Sequence, residues 1–207
     1  MVESFITLRY TFIVAIGAID WFLWRCDITL RIVSVTPRMS QYCEVQRLMK
    51  TAFPQNEQLP IWLLNLLAKR KMVEFHAFFD EDDFCGILYT AENNNLVFIL
   101  YLAVNDKIRS KGYGSQILQY VKRHSKGKTI VLNVEALNSS AANSEQRKKR
   151  IEFYRKNGIL DTGYTFIDKG EIYSVLASDC TRFHVQEYKC LLKKFSLGLY
   201  RKNITAR

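Results

Sequence analysis

The chain has 207 residues, of which 48% are hydrophobic and 24% are charged, as in an ordinary globular protein with one domain and a modest extension. The five cysteines are odd in number and include no C-x-x-C pair, and the three histidines lack metal-ligand spacing, which argues against a disulfide framework and a zinc site. The net charge of +10 predicts a negatively charged partner, either a phosphate-bearing cofactor or a nucleic acid.

The first 26 residues differ in composition from the rest of the chain. Between Arg9 and Asp20 lie ten uncharged residues, too few for a membrane span, which needs about 20 mostly apolar residues. Glu3 offsets the basic charge that a signal peptide carries at its start, and no small-x-small cleavage site follows. We therefore expect residues 1–26 to be an apolar extension or a packed accessory element, and we expect no membrane partner.

From residue 27 onwards the pattern of apolar residues predicts an alternating α/β domain. A strand over 28–35 precedes two helices, over 37–51 and 61–69, which are separated by a loop with two prolines. Three strands follow, and the last of them is apolar throughout, as expected of a strand buried on both faces. These strands cover 73–79, 84–90 and 96–104.

The second half of the domain begins with a glycine-bearing turn and continues with alternating elements. Gly158 is well placed to cap the second of its helices, and an amphipathic helix is predicted after Asp179. The predicted elements are a helix from 115 to 122, a strand over 129–135, a helix over 144–157 and strands over 161–167 and 171–176. The predicted order is therefore β-α-α-β-β-β-α-β-α-β-β, followed by the C-terminal helix.

The most informative feature of the sequence is Arg-Ser-Lys-Gly-Tyr-Gly at 109–114, between the apolar strand and the next helix. Gly112 and Gly114 allow the main chain to approach a ligand, and the free N–H groups at a helix start attract an anion. The pattern does not fit a Rossmann fingerprint, which needs a third glycine and an acidic residue about 20 positions later. The sequence therefore predicts a pyrophosphate-binding turn that belongs to neither a Rossmann domain nor a P-loop.

This turn, which follows a strand ending in Ala-Val, resembles the acyl-CoA-binding motif of the GNAT superfamily of N-acetyltransferases, of the bacterial type. The segment 143–154, with Asn157-Gly158-Ile159 after it, is similar to the family's helix that ends in Phe-Tyr and Asn-Gly-hydrophobic. The resemblance implies the GNAT (acyl-CoA N-acyltransferase) fold, an α/β fold whose central mixed, mostly antiparallel sheet is flanked by helices. Residues 27–178 would form this domain, and 179–207 would form a C-terminal amphipathic helix and tail.

The resemblance further implies an enzyme that transfers an acetyl group from acetyl-CoA, its co-substrate, to a primary amine by direct attack in a ternary complex, without a metal. In the family, pantetheine runs alongside the strand before the motif, and one N–H there faces the thioester oxygen. Asn138 or Asn143 could also bond to CoA. The donor-binding residues that we predict are Leu102, Ala103, Val104, Arg109, Ser110, Lys111, Gly112, Tyr113, Gly114, Ser115 and Asn143.

Catalysis needs an acid for the leaving thiolate and a base for the amine. Tyr154 matches the family tyrosine that lies near the CoA sulfur, and a phenol of pKa about 10 can donate to a developing thiolate. Some members carry a glutamate in the strand before the glycine motif, but residues 96–104 contain none. Glu135, at the end of the next strand, is the predicted base, and Tyr101 could instead hold a water that relays the proton.

The acceptor stays open and includes small-molecule and peptide amines. In relatives the loop and helix that correspond to 53–60 and 61–69 line the acceptor side. Two further hypotheses are a non-catalytic acyl-CoA-binding module and a basic protein that associates with nucleic acid through 146–156, although a basic run is usually a solvated helix face. Scattered reduced thiols are typical of the cytoplasm, and a homodimer is among the open oligomeric states.

Overall fold

The computed structural model describes residues 30–108, 111–168, 170–198 and 204–207. This part of the chain forms five α-helices and eight β-strands, with a 3-10 turn at Asp106–Ile108. In chain order they are β1 Arg31–Ser34, α1 Tyr42–Ala52, α2 Ile61–Leu67, β2 Val73–Asp80, β3 Asp83–Glu92, β4 Leu96–Val104, α3 Tyr113–His124, β5 Thr129–Glu135, α4 Ser144–Lys156, β6 Leu160–Asp168, β7 Glu171–Ala177, α5 Val185–Phe195 and β8 Ile204–Ala206. The predicted order of elements is confirmed, whereas the extension 1–26 lies outside the described residues.

All eight strands join one sheet in the order β1-β2-β3-β4-β5-β7-β6-β8. The only parallel neighbours among these strands are β4 and β5, and the other pairs are antiparallel. A parallel pair requires a crossover, which α3 supplies between them. The predicted mixed, mostly antiparallel sheet flanked by helices is therefore confirmed.

The continuous apolar sequence of β4 follows from helices on both faces of the sheet. Leu96 and Phe98 pack with Tyr188 and other residues of α5, whereas Val97 and Ile99 pack with residues of α3 and α4. Residues 96–99 are buried on both faces, so no polar residue alternates with the apolar ones there. β4 is thus the central strand of the domain.

A β-bulge at Leu100 changes the direction of the side chains along β4. Tyr101 pairs with Tyr89 of β3 and Ile99 pairs with Thr90, which leaves Leu100 as an extra residue. After the bulge Tyr101 and Ala103 join the cluster beneath α1 and α2, whereas an unbroken strand would have placed Leu100 and Leu102 on that face. A bulge also increases the local bend and twist of its strand.

The two parallel strands separate just where this bulge occurs. β4 and β5 pair from Leu96 with Thr129 to Ile99 with Leu132, and the pairing ends there although both strands continue. On its other edge β4 stays paired with β3 as far as Val104. The edge of residues 101–104 that faces β5 consequently has no strand partner in the described part of the chain.

Most predicted boundaries differ from the observed ones by a few residues, and two elements depart further from the prediction. The first helix begins at Tyr42 and not at Pro37, because 37–41 forms tight turns in which Met39 N–H bonds to Thr36 O and Tyr42 N–H bonds to Met39 O. The short strand β8, which pairs with β6, falls in the segment predicted as a tail. None of the helices in the described ranges is long and apolar enough to cross a membrane.

Candidate active site

A cleft of about 500 Å³ lies where β4 ends and α3 begins. Its lining residues are Ala52, Leu102, Ala103, Val104, Gly112, Tyr113, Gly114, Ser115 and Phe153. We call this the donor cleft, because seven of these residues were predicted from the sequence to bind the acyl donor. The structure therefore brings the strand segment 102–104 and the turn 112–115 to one place.

The turn at the start of α3 has the backbone that an anion site requires. Gly112, the residue before the helix, has φ +83°, a left-handed conformation that disfavours any residue with a side chain. The N–H of Gln116 bonds to the carbonyl of Gly112, so helical bonding begins there. The N–H groups of Tyr113, Gly114 and Ser115 belong to the first turn, which has no intrahelical acceptors for them, and they lie at the positive end of the helix dipole.

Gly114 serves a different purpose, because it lets α3 cross α4 closely. A Cβ atom at Gly114 would lie 3.0 Å from Cζ of Phe153 and 3.5 Å from Cγ2 of Val104. Phe153 therefore closes one wall of the donor cleft against the glycine. Neither Phe153 nor Ala52 was predicted from the sequence to line the site, although a role was predicted for the neighbouring Tyr154.

The Tyr113 side chain anchors the turn to the end of β2, which lies at the same end of the sheet as the end of β4. Its hydroxyl donates a hydrogen bond of 2.6 Å to Oδ2 of Asp80 at the end of β2, and the residue is buried. The bond to Asp80, with burial, raises the pKa of Tyr113 above its ordinary value. The side chain is thus fixed away from a ligand, and the residue contributes its main-chain N–H to the donor cleft.

Tyr154 lies behind the wall formed by Phe153. Its ring centroid is 5.1 Å from that of Phe153, and the side chain packs in the cluster under α3 and α4. Burial raises the pKa of Tyr154 to about 12, with Arg150 opposing the shift. The hydroxyl has no hydrogen-bond partner among the described residues, so the proton is not committed to another protein group.

Glu135 lies in an ion-pair cluster and not in the donor cleft. Its Oε2 accepts a 2.6 Å bond from Nη1 of Arg150, and its Oε1 is 3.4 Å from Nη2 of Arg147. Arg147 is itself buried and donates a 2.7 Å bond to Oε1 of Glu171, which lowers the pKa of that carboxyl. Both oxygens of the predicted base are therefore occupied by protein donors.

Asn143 belongs to the same cluster. Its amide nitrogen donates to Oε1 of Glu135 at 3.1 Å, and its Oδ1 accepts from Nε of Arg147 at 2.7 Å. Asn138 bonds to the main chain and hydroxyl of Ser140 in a local turn. Both side chains thus use their polar atoms within the protein.

Two tyrosines hold the loop 53–60, which we call the acceptor loop, over the separation of β4 and β5. The Tyr101 hydroxyl donates to the carbonyl of Glu57 at 2.7 Å and accepts from Leu59 N–H at 2.9 Å. The Tyr173 hydroxyl donates to Oε1 of Glu57 at 2.5 Å. Because its only hydrogen is used by this loop, Tyr101 cannot also donate to a relay water.

The remaining predicted donor residues lie at the edge of the donor cleft or outside the described part. Lys111 is exposed beside Gly112, whereas Arg109 and Ser110 fall outside the described residues. In the ranges that the structure describes, no group of His, Cys, Asp or Glu residues has the arrangement of a metal site.

Comparison with known proteins relates this geometry to one family. Residues 71–158 match the family described as "Acetyltransferase (GNAT) domain", and no curated protein sequence matches the chain. A protein from Bacteroides thetaiotaomicron described as an acetyltransferase of the GNAT family superposes with a TM-score of 0.63, at 21% identity, over 82% of this chain and 99% of that one.

Two further solved structures share the fold at lower identity. Arabidopsis thaliana Naa50, in complex with the bisubstrate analogue CoA-Ac-MVNAL, gives a TM-score of 0.53 at 19% identity over 72% of this chain and 97% of its own. The aminoglycoside 6'-N-acetyltransferase from Enterococcus faecium gives a TM-score of 0.53 at 16% identity over 71% and 95%. At these identities the likeness concerns the fold.

Proposed function

We propose that the protein transfers an acetyl group from acetyl-CoA to a primary amine by direct attack in a ternary complex, since residues 71–158 match the GNAT acetyltransferase domain. The acceptor amine would belong to a small molecule or a peptide, as in the aminoglycoside acetyltransferase and the Naa50 complex. No acyl-enzyme is needed, since holding donor and amine together supplies the proximity that the reaction requires.

The observation that carries the proposal is the separation of β4 from β5 beside the first turn of α3. The separation leaves an unpaired strand edge at residues 101–104, and the turn presents N–H groups beside it at Tyr113, Gly114 and Ser115. A pantetheine chain carries amides that can pair with a strand edge, and a diphosphate accepts bonds from a helix start. The two halves of the donor cleft thus match the two halves of CoA.

The donor would be held mainly by main-chain groups. We propose that Gly112 to Ser115 bind the pyrophosphate and that Leu102, Ala103 and Val104 pair with pantetheine, one of their N–H groups facing the thioester oxygen. Arg109, Ser110 and Lys111 would add charge and polar contacts at the phosphates. Asn143 would act at the same cleft only if donor binding displaced its bonds to Glu135 and Arg147.

Tyr154 is the proposed acid for the leaving sulfur. Burial raises the pKa of its hydroxyl to about 12, so the hydroxyl keeps its proton. The pKa of a thiol is lower, about 8.5. At a pKa of about 12 for Tyr154, complete transfer of its proton to a thiolate is unfavourable. A hydrogen bond to the sulfur as the C–S bond breaks provides the stabilisation without requiring complete transfer.

The predicted base does not line the donor cleft. Glu135 was predicted for this role, and the bonds from Arg147, Arg150 and Asn143 favour a positioning role for it instead. The nucleic-acid hypothesis is weakened by the same bonds, since two arginines of the run 146–150 face inward. A non-catalytic acyl-CoA-binding module is the second candidate, because acyl-CoA binding requires only the donor cleft.

The test is calorimetric titration of acetyl-CoA into the full chain and into two variants at Ser115. Ser115→Asp places a negative charge beside the expected diphosphate, at a helix start where an acidic residue stabilises the fold. Ser115→Asn is a neutral control of similar size. We expect wild type and Ser115→Asn to bind, and Ser115→Asp to bind at least about tenfold more weakly.

Equal binding by the two variants would place the donor elsewhere, and no binding by the folded wild type would overturn the proposal. Release of CoA thiol with a panel of primary amines then separates the enzyme from the binding module. Binding with no turnover on any amine would favour the module. Turnover that Tyr154→Phe lowers would support the proposed acid.

A further inference from the structure

One carboxylate beside the gap between β4 and β5 forms no ion pair with any described residue. Glu57 lies in the acceptor loop, and no Lys or Arg of the described residues forms an ion pair with it. Glu135, by contrast, has two arginines. A half-buried carboxylate without a cation is costly unless a ligand supplies the positive charge.

The position of Glu57 is fixed by strands on both sides of the gap. Tyr101 belongs to β4, one residue beyond the bulge, and bonds to the main-chain carbonyl of Glu57. Tyr173 belongs to β7, opposite Glu135 of β5, and bonds to Oε1 of Glu57. Glu57 therefore connects the two sides of the gap, with its main-chain carbonyl at β4 and its carboxylate at β7.

The acceptor loop does not need this carboxylate for its attachment. Two main-chain groups, the Glu57 carbonyl and the Leu59 N–H, already bond to the Tyr101 hydroxyl. The Oε2 atom of Glu57 has no hydrogen-bond partner among the described residues. One carboxylate oxygen is therefore oriented by Tyr173, and the other is available to a ligand.

Tyr173 acts as a hydrogen-bond donor to Glu57. Burial, together with the bond to Glu57, raises the pKa of Tyr173 above its ordinary value, so this phenol stays protonated and donates. The Tyr173 hydroxyl is the donor of this bond and Oε1 of Glu57 is the acceptor. The arrangement orients an acceptor-only group toward the gap.

We propose that the Glu57 carboxylate receives the ammonium group of the acceptor and removes a proton from it, with Tyr173 as its positioning residue. This rests on the proposed function. The ammonium passes one proton to the carboxylate, and its nitrogen lone pair then forms a bond to the thioester carbonyl carbon. The C–S bond breaks with its electron pair on sulfur, the second proton of the nitrogen passes to the CoA thiolate to give the free thiol, and Glu57 returns its proton to solvent.

Two acceptors of different protonation test the assignment with the full chain. An alkyl primary amine such as that of an acetyl-capped lysine has a pKa of about 10.4 and is cationic at neutral pH, whereas hydroxylamine is neutral there and needs no base before attack. Glu57→Gln keeps both main-chain bonds to Tyr101. Glu44→Gln, an exposed glutamate of α1, removes the same charge elsewhere and serves as the control.

We expect Glu57→Gln to lower kcat/KM for the alkyl amine by about 100-fold or more, and to leave transfer to hydroxylamine and acetyl-CoA affinity within about twofold of wild type. Glu44→Gln should match wild type with both acceptors. Equal losses on both acceptors would show that Glu57 only holds the loop, and no loss on either would equally overturn the inference.

The two proposals fail in different ways in this experiment. A wild-type protein that transfers to neither acceptor and binds no acetyl-CoA overturns the proposed function and the inference with it. A wild-type protein that acetylates hydroxylamine but no cationic amine keeps the acetyltransferase and overturns the role of Glu57. Tyr173→Phe should give an intermediate loss on the alkyl amine alone, since the carboxylate remains but is less well oriented.

Discussion

Arg150 donates a hydrogen bond of 2.6 Å to Oε2 of Glu135, which joins α4 to the end of β5. Arg147, one helical turn earlier, reaches the other oxygen of the same carboxylate and also bonds to Glu171 of β7. The helix is thus attached to two strands by charged groups, in addition to the packing of Ile151, Phe153 and Tyr154 in the core. The charged cluster lies outside the donor cleft, whose lining includes none of its residues.

Removing Arg147 should destabilise the fold strongly. Arg147→Met leaves the carboxylates of Glu135 and Glu171 close together without the guanidinium between them, and breaking a buried pair in this way costs about 3–5 kcal/mol. Urea denaturation measures the loss in free energy of unfolding. Lys148→Met, which removes an exposed charge from the same helix, should cost less than about 0.5 kcal/mol, and similar losses from the two would contradict the assignment.

Glu135→Gln separates a positioning role from a catalytic one. If Glu135 holds the two arginines, the variant should lose about 1–3 kcal/mol of stability, with the rate of transfer to an alkyl amine and to hydroxylamine changed alike. If it is the base, stability should be kept and only transfer to the alkyl amine should fall. Denaturation and the two-acceptor assay on one preparation give the answer.

A second coupling joins Gly114 to Phe153. Gly114→Ala places a methyl group 3.0 Å from the Phe153 ring, and such overpacking typically costs about 1–3 kcal/mol. Phe153→Leu should make room, so the double variant should recover part of the loss. A double-mutant cycle on the free energy of unfolding measures the coupling, and strictly additive effects would show that the two residues do not interact.

Acid should destabilise the protein through His76. Burial, reinforced by His124 and opposed by Glu74, lowers the pKa of His76 below its ordinary value of 6.5. The unfolded chain therefore binds a proton at pH values where the folded one does not. His76 therefore does not reduce the free energy of unfolding above about pH 6.5. Below that pH, the free energy of unfolding falls by up to about 1.4 kcal/mol per pH unit.

Replacing His76 should flatten this dependence. Urea denaturation at pH 7.5, 6.5 and 5.5 should show a smaller acid loss in His76→Gln than in wild type. His184→Gln, at an exposed position, should behave as wild type does. The contribution of His76 would be refuted by identical slopes in all three proteins.

The thiols should differ sharply in reactivity. Burial raises the pKa of Cys85 to about 11 and encloses the sulfur, so the native protein should not be alkylated there at pH 8. Exposed Cys43 and Cys190 should react first. Mass spectrometry of peptides after iodoacetamide treatment, with and without urea, would detect this difference, and rapid labelling of Cys85 in the native state would contradict it.

The strands and the glycine turn were predictable because their signals are local. The apolar run of β4 and the strand over 129–135 match the structure to the residue, and residues 111–114 of the turn lie directly before and at the start of α3. The bulge at Leu100 was not predicted. A strand covered on both faces has no polar alternation, so nothing in its sequence marks the point at which the faces exchange.

The charged cluster was missed for a different reason. The run 146–150 was interpreted mainly as a solvated helix face, yet Arg147 is 4% exposed. Its partners come from β5 and β7, and only the tertiary fold brings those strands to the helix. The same holds for Glu57, whose neighbours Tyr101 and Tyr173 are far away in sequence, and for β8, which is too short to have a periodic pattern.

The bulge divides β4 into two halves with different surroundings. Residues 96–99 have strands on both sides and helices on both faces, so changes there would act on folding. Residues 101–104 have a strand on one side only, so changes there would act on what binds. Substitutions in residues 101–104 can therefore change ligand preference while residues 96–99 maintain the fold. Both functions are thus combined in a single strand of nine residues.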